Sequence, residues 1–166
     1  MIIRHETLSD IEAIFEVTRA AFENHPYSIE TEQFIVNALR AAGALTLSLV
    51  AQVDGKVAGH AAFSPVTISD GSLDWYGLGP ISVLPRLQRQ GIGKSLVREG
   101  LSQLKALGAK GCILVGDPAY YGRFGFTNFP DLVHEGVPPE YVLTLCFEDS
   151  QPRGAVFFHR GFTAKG

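Results

Sequence analysis

The sequence is short of cysteine, of basic charge and of long apolar runs, and each shortage removes a class of protein. Only Cys112 and Cys146 occur among 166 residues, both inside apolar runs. That excludes a disulfide-built secreted scaffold and predicts two reduced, buried thiols, as in a cytoplasmic protein. Lys and Arg number 14 against 17 Asp and Glu, for a formal net charge of −3 and a pI near 5.9. A protein that holds nucleic acid by neutralising phosphates needs clustered basic residues, so no nucleic-acid partner is expected. Nowhere do 18 apolar residues run uninterrupted, and Met1-Ile2-Ile3-Arg4-His5-Glu6 leads from no basic segment into an apolar stretch. Neither a membrane span nor a signal peptide is expected. Charged residues, at 19%, are too sparse for disorder, while 46% hydrophobic residues are enough for a core. The length predicts a single domain over 1–166.

Metal-ligand spacing is missing as well. His5, His25, His60, His134 and His159 form no His-Glu-x-x-His pattern or close pair, and neither Cys lies near one of them, so no metal site is implied.

What is present is a succession of periodic segments. Met1–Arg4 reads as a strand, and Ser9-Asp10-Ile11-Glu12 has the form of a helix capping box. Ile11, Ile14, Phe15, Thr18, Ala21 and Phe22 then recur at helical spacing until His25-Pro26. A second helix is predicted over Glu30–Ala42, stopping at Gly43. From Leu47 the period becomes that of a strand, with Asp54-Gly55 as the turn to a second strand over Lys56–Phe63. Ser69-Asp70-Gly71-Ser72 turns the chain into a third antiparallel strand, Trp75–Val83. Ile92, Leu96, Val97, Leu101, Leu104 and Leu107 mark the clearest helix, with Gly108 as its stop. Cys112–Val115 follows as a buried strand, joined to Trp75–Val83 by a right-handed crossover and so parallel to it. A helical turn near Ala119–Arg123, a Pro-rich connection and strands at Tyr141–Phe147 and Ala155–His159 complete the chain. The fold class is α+β: a mostly antiparallel mixed sheet with one parallel junction, flanked by helices.

The most informative segment is the junction Gln88-Arg89-Gln90-Gly91-Ile92-Gly93-Lys94-Ser95. Two glycines let successive N–H groups point into one space, and the first turn of the following helix adds partial positive charge, which suits phosphate or pyrophosphate. Arg86, Arg89 and Lys94 are near enough in sequence to add full charges. A P-loop needs glycine where Gln88 stands, and a dinucleotide turn counted from Gly91 needs one where Leu96 stands. The pattern that fits is Gln/Arg-x-x-Gly-x-Gly/Ala, met by Gln88, Gly91 and Gly93. Here the chain resembles the GNAT superfamily of acyl-CoA-dependent N-acyltransferases, over nearly its whole length in the order of elements. Tyr120-Tyr121-Gly122-Arg123-Phe124-Gly125-Phe126 resembles that family's aromatic-Tyr segment, and Leu78 to Pro85 resembles a form common in one bacterial branch of acetyltransferases.

The resemblance implies roles. Acetyl-CoA would be the co-substrate, with its pyrophosphate held by backbone N–H groups of Gln88, Arg89, Gln90, Gly91, Ile92, Gly93 and Lys94, and Ser95 as a hydroxyl donor. Ile81, Ser82 and Val83 would lie along the pantetheine arm where the parallel junction splays, with main-chain bonds from Ile81 and Val83 and an N–H near Val83 toward the thioester carbonyl. Tyr121 would protonate the departing thiolate, and Tyr120 would pack. Asp117 stands where many relatives carry Asn, at a shorter spacing to the tyrosine. Many relatives carry a glutamate on the fourth strand as base, and here the only carboxylate nearby is Asp74. Glu23, His25, Glu32 and Glu140 remain open as candidates. The acceptor would be an amine of a small molecule or a protein, and a homodimer is left open. A non-catalytic acyl-CoA sensor or assembly module is the alternative from a different class.

Overall fold

A computed structural model describes residues 1–166, which divide into two compact units. The first comprises Met1–Ser64, Gly79–Gly100 and Arg160–Gly166, and the second Pro65–Leu78 and Leu101–His159.

In the first unit, β1 (Ile2–His5) pairs antiparallel with β2 (Leu47–Val53), and β2 pairs antiparallel with β3 (Lys56–Ile68) through registers such as Leu47↔Phe63 and Val50↔His60. Asp54 and Gly55 both have positive φ, +51° and +77°. A type I′ turn requires that geometry, and the hairpin forms where the sequence places it. Leu47 to Ala51 are all buried, because both faces of this sheet are covered. On one face Val50 packs against Ile14 of α1 (Ile11–Phe22) and Val36 of α2 (Glu32–Ala41). On the other face runs α3 (Ile92–Ala106), whose Ile92 and Leu96 methyls would stand 3.1 Å from a Cβ at Gly59. At Gly100 a Cβ would run into the ring of Phe63. Glycine there, although worth about 1 kcal/mol less than alanine in helix propensity, is what lets helix and strand approach. The later part of β4 (Trp75–Val83) runs beside β3, with Leu84 N donating to Ala58 O at 2.9 Å. Pro80 gives β4 no N–H at that point of the sheet.

The start of α1 differs from the expectation. The capping box is formed two residues earlier, by Thr7 and Asp10, and caps a 3-10 turn over Leu8–Asp10 that leads into α1: the Asp10 carboxylate accepts from Thr7 N at 2.7 Å, and also from the Arg4 guanidinium at 2.7 and 3.0 Å. Asp10 is buried, and Arg4 supplies the countercharge that makes burial tolerable there, whereas Ser9 and Glu12 lie on the surface. The Arg4 hydrogen bond, with the Thr7 donors, holds the Asp10 carboxyl well below the usual carboxylate range against the opposing cost of burial. A depressed folded-state pKa contributes stability that is present above the unfolded value and lost as pH falls through it toward the folded one. The apparent stability is therefore expected to decline below about pH 4. Asp10→Asn should cost about 1.5–3 kcal/mol at neutral pH and flatten that decline, as urea unfolding across a pH series would register.

The second unit is built on β5 (Gly111–Val115), which pairs parallel with the start of β4 over Trp75↔Gly111 to Gly77↔Ile113 and antiparallel with β8 (Val142–Cys146). Within this unit the parallel ladder goes no further than Gly77 and Ile113. The expected helical turn is α4 (Pro118–Tyr121) followed by a 3-10 turn over Gly122–Phe124. Two strands absent from the sequence reading are β6 (Thr127–Asn128), against β8, and β7 (Leu132–Val133), which makes a second parallel pairing with β9 (Gly154–Phe158). Each spans two residues, too few to show a period. The end of β3 pairs with β9, and Trp75, Ile113, Leu132, Val142 and Val156 form the core. Both thiols are free. Cys112 is buried as expected, but Cys146 is only partly so, with its thiol donating to Ser150 O at 3.1 Å. No helix is long and apolar enough to cross a membrane.

Candidate active site

In the first unit, β4 ends at Val83 and a 3-10 turn over Pro85–Leu87 delivers the chain to the glycine junction. Arg89 and Gly91 both take positive φ, +63° and +89°, so the backbone curls twice before α3 begins. The first bond of the helix is Ser95 N to Gly91 O, at 3.0 Å. Six consecutive backbone N–H groups, from Arg89 to Lys94, consequently donate to no acceptor in the protein. Unpaired donors converging at a helix start form an anion site on their own, and the helix dipole reinforces it. Arg86, Arg89 and Lys94 add three cations, none of them in an ion pair.

Other members of this segment are engaged. Gln88 Nε2 donates to Val83 O at 3.1 Å, tying the turn back to the end of β4, and Gln88 N reaches Pro85 O at 3.4 Å. Gln90 Nε2 donates to Arg86 O at 3.4 Å. The Ser95 hydroxyl donates to Gly91 O at 2.9 Å, so its single proton is spent within the helix and is not aimed at the six free N–H groups. Ile92 is buried beneath the turn. Along β4, Ile81 and Val83 are half-buried, while Ser82 turns inward to within 3.3 Å of Thr18 Oγ on α1.

In the second unit, Tyr121 closes α4. Its ring meets Tyr120 edge-on at 4.9 Å and Phe126 at 6.1 Å, and a Cβ at Gly116 would lie 2.6 Å from it. Gly116 is thus the residue that lets the tyrosine ring settle on the end of β5, a role the sequence reading does not contain. The Tyr121 hydroxyl makes no hydrogen bond within the protein. Burial, and secondarily Tyr120 and Cys112, push its phenol up to about 12, so it is protonated throughout the neutral range. Tyr120 packs as expected, under the Arg123 guanidinium at 4.5 Å. Asp117 is the helix cap of α4, its carboxylate accepting from Ala119 N at 2.9 Å.

The open candidates for a base are scattered. Glu23 pairs with Arg19 at 3.3 Å, His25 Nδ1 accepts weakly from Tyr27 N at 3.4 Å, and Glu32 accepts from Ser28 Oγ at 2.6 Å. In the second unit Glu140 and Asp74 are exposed.

Comparison with known proteins agrees with these features. A family model described as an acetyltransferase (GNAT) domain matches residues 2–129. The uncharacterized N-acetyltransferase YhbS of Escherichia coli K12 is 41% identical over 127 residues, covering 76% of this chain and 73% of that protein. Among solved structures, a GNAT family acetyltransferase from Brucella melitensis, in complex with acetyl-CoA, is 50% identical with a TM-score of 0.87 and covers 97% of both chains. YhbS from Escherichia coli in complex with CoA superimposes with a TM-score of 0.89 at 35% identity, covering 99% of this chain and 93% of that one.

Proposed function

Since the chain belongs to the GNAT family of acetyltransferases, we propose that it transfers an acetyl group from acetyl-CoA directly to an amine, as one N-acetyltransferase domain over 1–166. The observation that carries the cofactor assignment is the run of six unpartnered N–H groups from Arg89 to Lys94, flanked by three unpaired cations. A doubly charged pyrophosphate fits that cradle in charge and in donor count. The acetyl-CoA and CoA complexes of the two structural relatives support the same reading. Acetyl-CoA, when bound, supplies an activated acetyl thioester.

The chain's own residues do the rest. Arg89 to Lys94 anchor the far end of the cofactor, and Gln88 holds the turn against the end of β4. Ile81, Ser82 and Val83 form the strand along which the pantetheine arm would lie, and a backbone N–H near Val83 would polarise the thioester carbonyl. Ser95 would contribute a donor only by releasing Gly91 O, so its share in binding is minor. Tyr121, protonated and without an internal partner, would meet the leaving sulfur. Holding amine and thioester together supplies much of the rate. The acceptor is a small-molecule or protein amine, and two free thiols fit a cytoplasmic setting. No observation favours an acyl-CoA sensor without turnover.

The reading is tested by calorimetric titration with CoA together with thiol release from acetyl-CoA in the presence of spermidine, tyramine and a lysine-containing peptide. Binding with amine-dependent thiol release is the expected outcome. Binding with no acceleration by any amine would return the sensor reading, and no binding at all would remove both.

A further inference from the structure

The family's usual fourth-strand glutamate has no counterpart here, yet a buried set of polar groups in the first unit has the form of a base with its orienting partners. His60 lies on β3 opposite Val50, which packs on Ile14 and Val36, so the imidazole faces α1 and α2. Ser82 of β4 turns to the same helices through Thr18. His60 is fully buried, and its Nε2 sits 2.8 Å from Ser48 Oγ. Ser48 Oγ in turn makes a short hydrogen bond to Glu6 Oε1, and Arg40 clamps the same carboxylate with two bonds of 2.8 Å. That clamp keeps Glu6 ionised: although burial raises its pKa, hydrogen bonds from Arg40 and Ser48 bring it below the ordinary value.

The protonation pattern follows from counting hydrogens. An ionised carboxylate can only accept, so the single Ser48 proton goes to Glu6. At the other contact Ser48 Oγ must therefore accept, and His60 must carry its proton on Nε2. Nδ1 is left with its lone pair, and no group of the protein donates to it. Gln33 Oε1 on α2 and Ser64 Oγ, four residues along β3, are also buried without partners in this unit. Folded interiors seldom leave such atoms unmet, and an unmet one marks a place completed by water or ligand.

We propose that His60 Nδ1 receives the proton which the acceptor ammonium loses, with Ser48 and Glu6 as positioning residues that fix the imidazole tautomer. The proposal rests on the acetyl-transfer reading. In the step, an N–H bond of the ammonium breaks and an Nδ1–H bond forms, directly or through a water admitted with the acceptor. Nε2–H and Ser48 O–H stay in place, and the freed nitrogen pair is available for the carbonyl carbon. The imidazolium is balanced by Glu6 through Ser48, and Nδ1 then returns its proton to water. The charged groups acting on the ring are Glu6 and Asp10, which favour its cationic form, and Arg40, which opposes it. Desolvation outweighs them and brings the resting pKa down to about 4, so the ring is neutral at rest, and its basicity rises only as water admitted with the acceptor relieves that desolvation.

The test is long-range 15N–1H correlation on histidine-labelled protein, paired with acetylation kinetics on spermidine, tyramine and the lysine-containing peptide. Wild-type His60 should appear as the Nε2–H tautomer, and Ser48→Ala should turn it into a mixture. In that variant kcat should fall about tenfold with CoA affinity unchanged and the unfolding midpoint lowered, since His60 Nε2–H and Glu6 lose a buried partner, and Ser48→Thr should restore tautomer, rate and midpoint. A wild-type Nδ1–H tautomer, or a Ser48→Ala enzyme with wild-type kcat, overturns the proposal alone. Wild-type protein that acetylates none of the three amines removes the acetyl-transfer reading and this proposal with it.

Discussion

Gly91→Val is expected to weaken CoA binding by about a hundredfold or more while the protein stays folded. Gly91 sits at φ +89°, in the left-handed region where a β-branched residue is strained by about 1–3 kcal/mol. A Cβ at this position would meet nothing within 4 Å, so the damage comes from the backbone and not from crowding. Relief of the strain rotates the peptide planes around Gly91 and Ile92, and the N–H groups between Arg89 and Lys94 cease to converge. Each hydrogen bond to a charged group is worth about 1.5–3 kcal/mol, and misaiming two of them removes about 3 kcal/mol, or a factor of about a hundred in Kd. Calorimetric titration with CoA measures the loss, and thermal unfolding of the free protein separates it from global damage. Wild-type affinity in the variant would sink the pyrophosphate assignment. Gly91→Ala, strained but not β-branched, should fall between the two.

The glycine junction was legible because its elements are neighbours in the chain: Gln88, Gly91 and Gly93 are read together, and the Asp54-Gly55 hairpin turn likewise depends on two adjacent residues. Features that depend on distant partners were not legible. The capping box falls on Thr7 and Asp10, at the 3-10 turn before α1, where Arg4, on another element, neutralises Asp10. At Gly100 and Gly111, Phe63 and the Trp75 ring occupy the space that side chains would need, and both partners are distant in the chain. Ser95 has the residue type of a phosphate ligand, yet in the folded chain its proton goes to Gly91 O. His60 is one of five histidines without a shared spacing, since Ser48 and Glu6 lie on different strands or loops and no spacing rule links them. Local order in the chain thus yields the cofactor half of the chemistry, while the polar groups that would serve the acceptor come together only through the sheet.

Tyr121→Phe should leave CoA affinity and stability nearly unchanged and lower kcat by about 10²-fold or more. The substitution keeps the ring, and with it the edge contacts to Tyr120 and Phe126 and the close seat over Gly116. It removes only a hydroxyl that makes no hydrogen bond within the protein, so no buried partner is left unsatisfied. What is lost is a donor for the leaving sulfur, whose need for one grows only as the thioester breaks, and such an interaction acts on kcat and not on ground-state binding. The phenol, raised to about 12 chiefly by burial, is a weaker acid than a thiol of pKa about 8.5. Tyr121 therefore acts first by donating a hydrogen bond and passes its proton only as sulfur gains charge. The same elevation fixes the pH behaviour. A group whose folded pKa lies above its unfolded value of about 10 stays protonated through neutral pH, so the wild-type rate should show no alkaline limb from this residue below about pH 10. Its contribution to stability is lost only as pH rises from there through the folded value. Single-turnover thiol release, measured beside CoA titration, separates chemistry from binding, and a Tyr121→Phe enzyme with wild-type single-turnover rate would move the proton donor elsewhere.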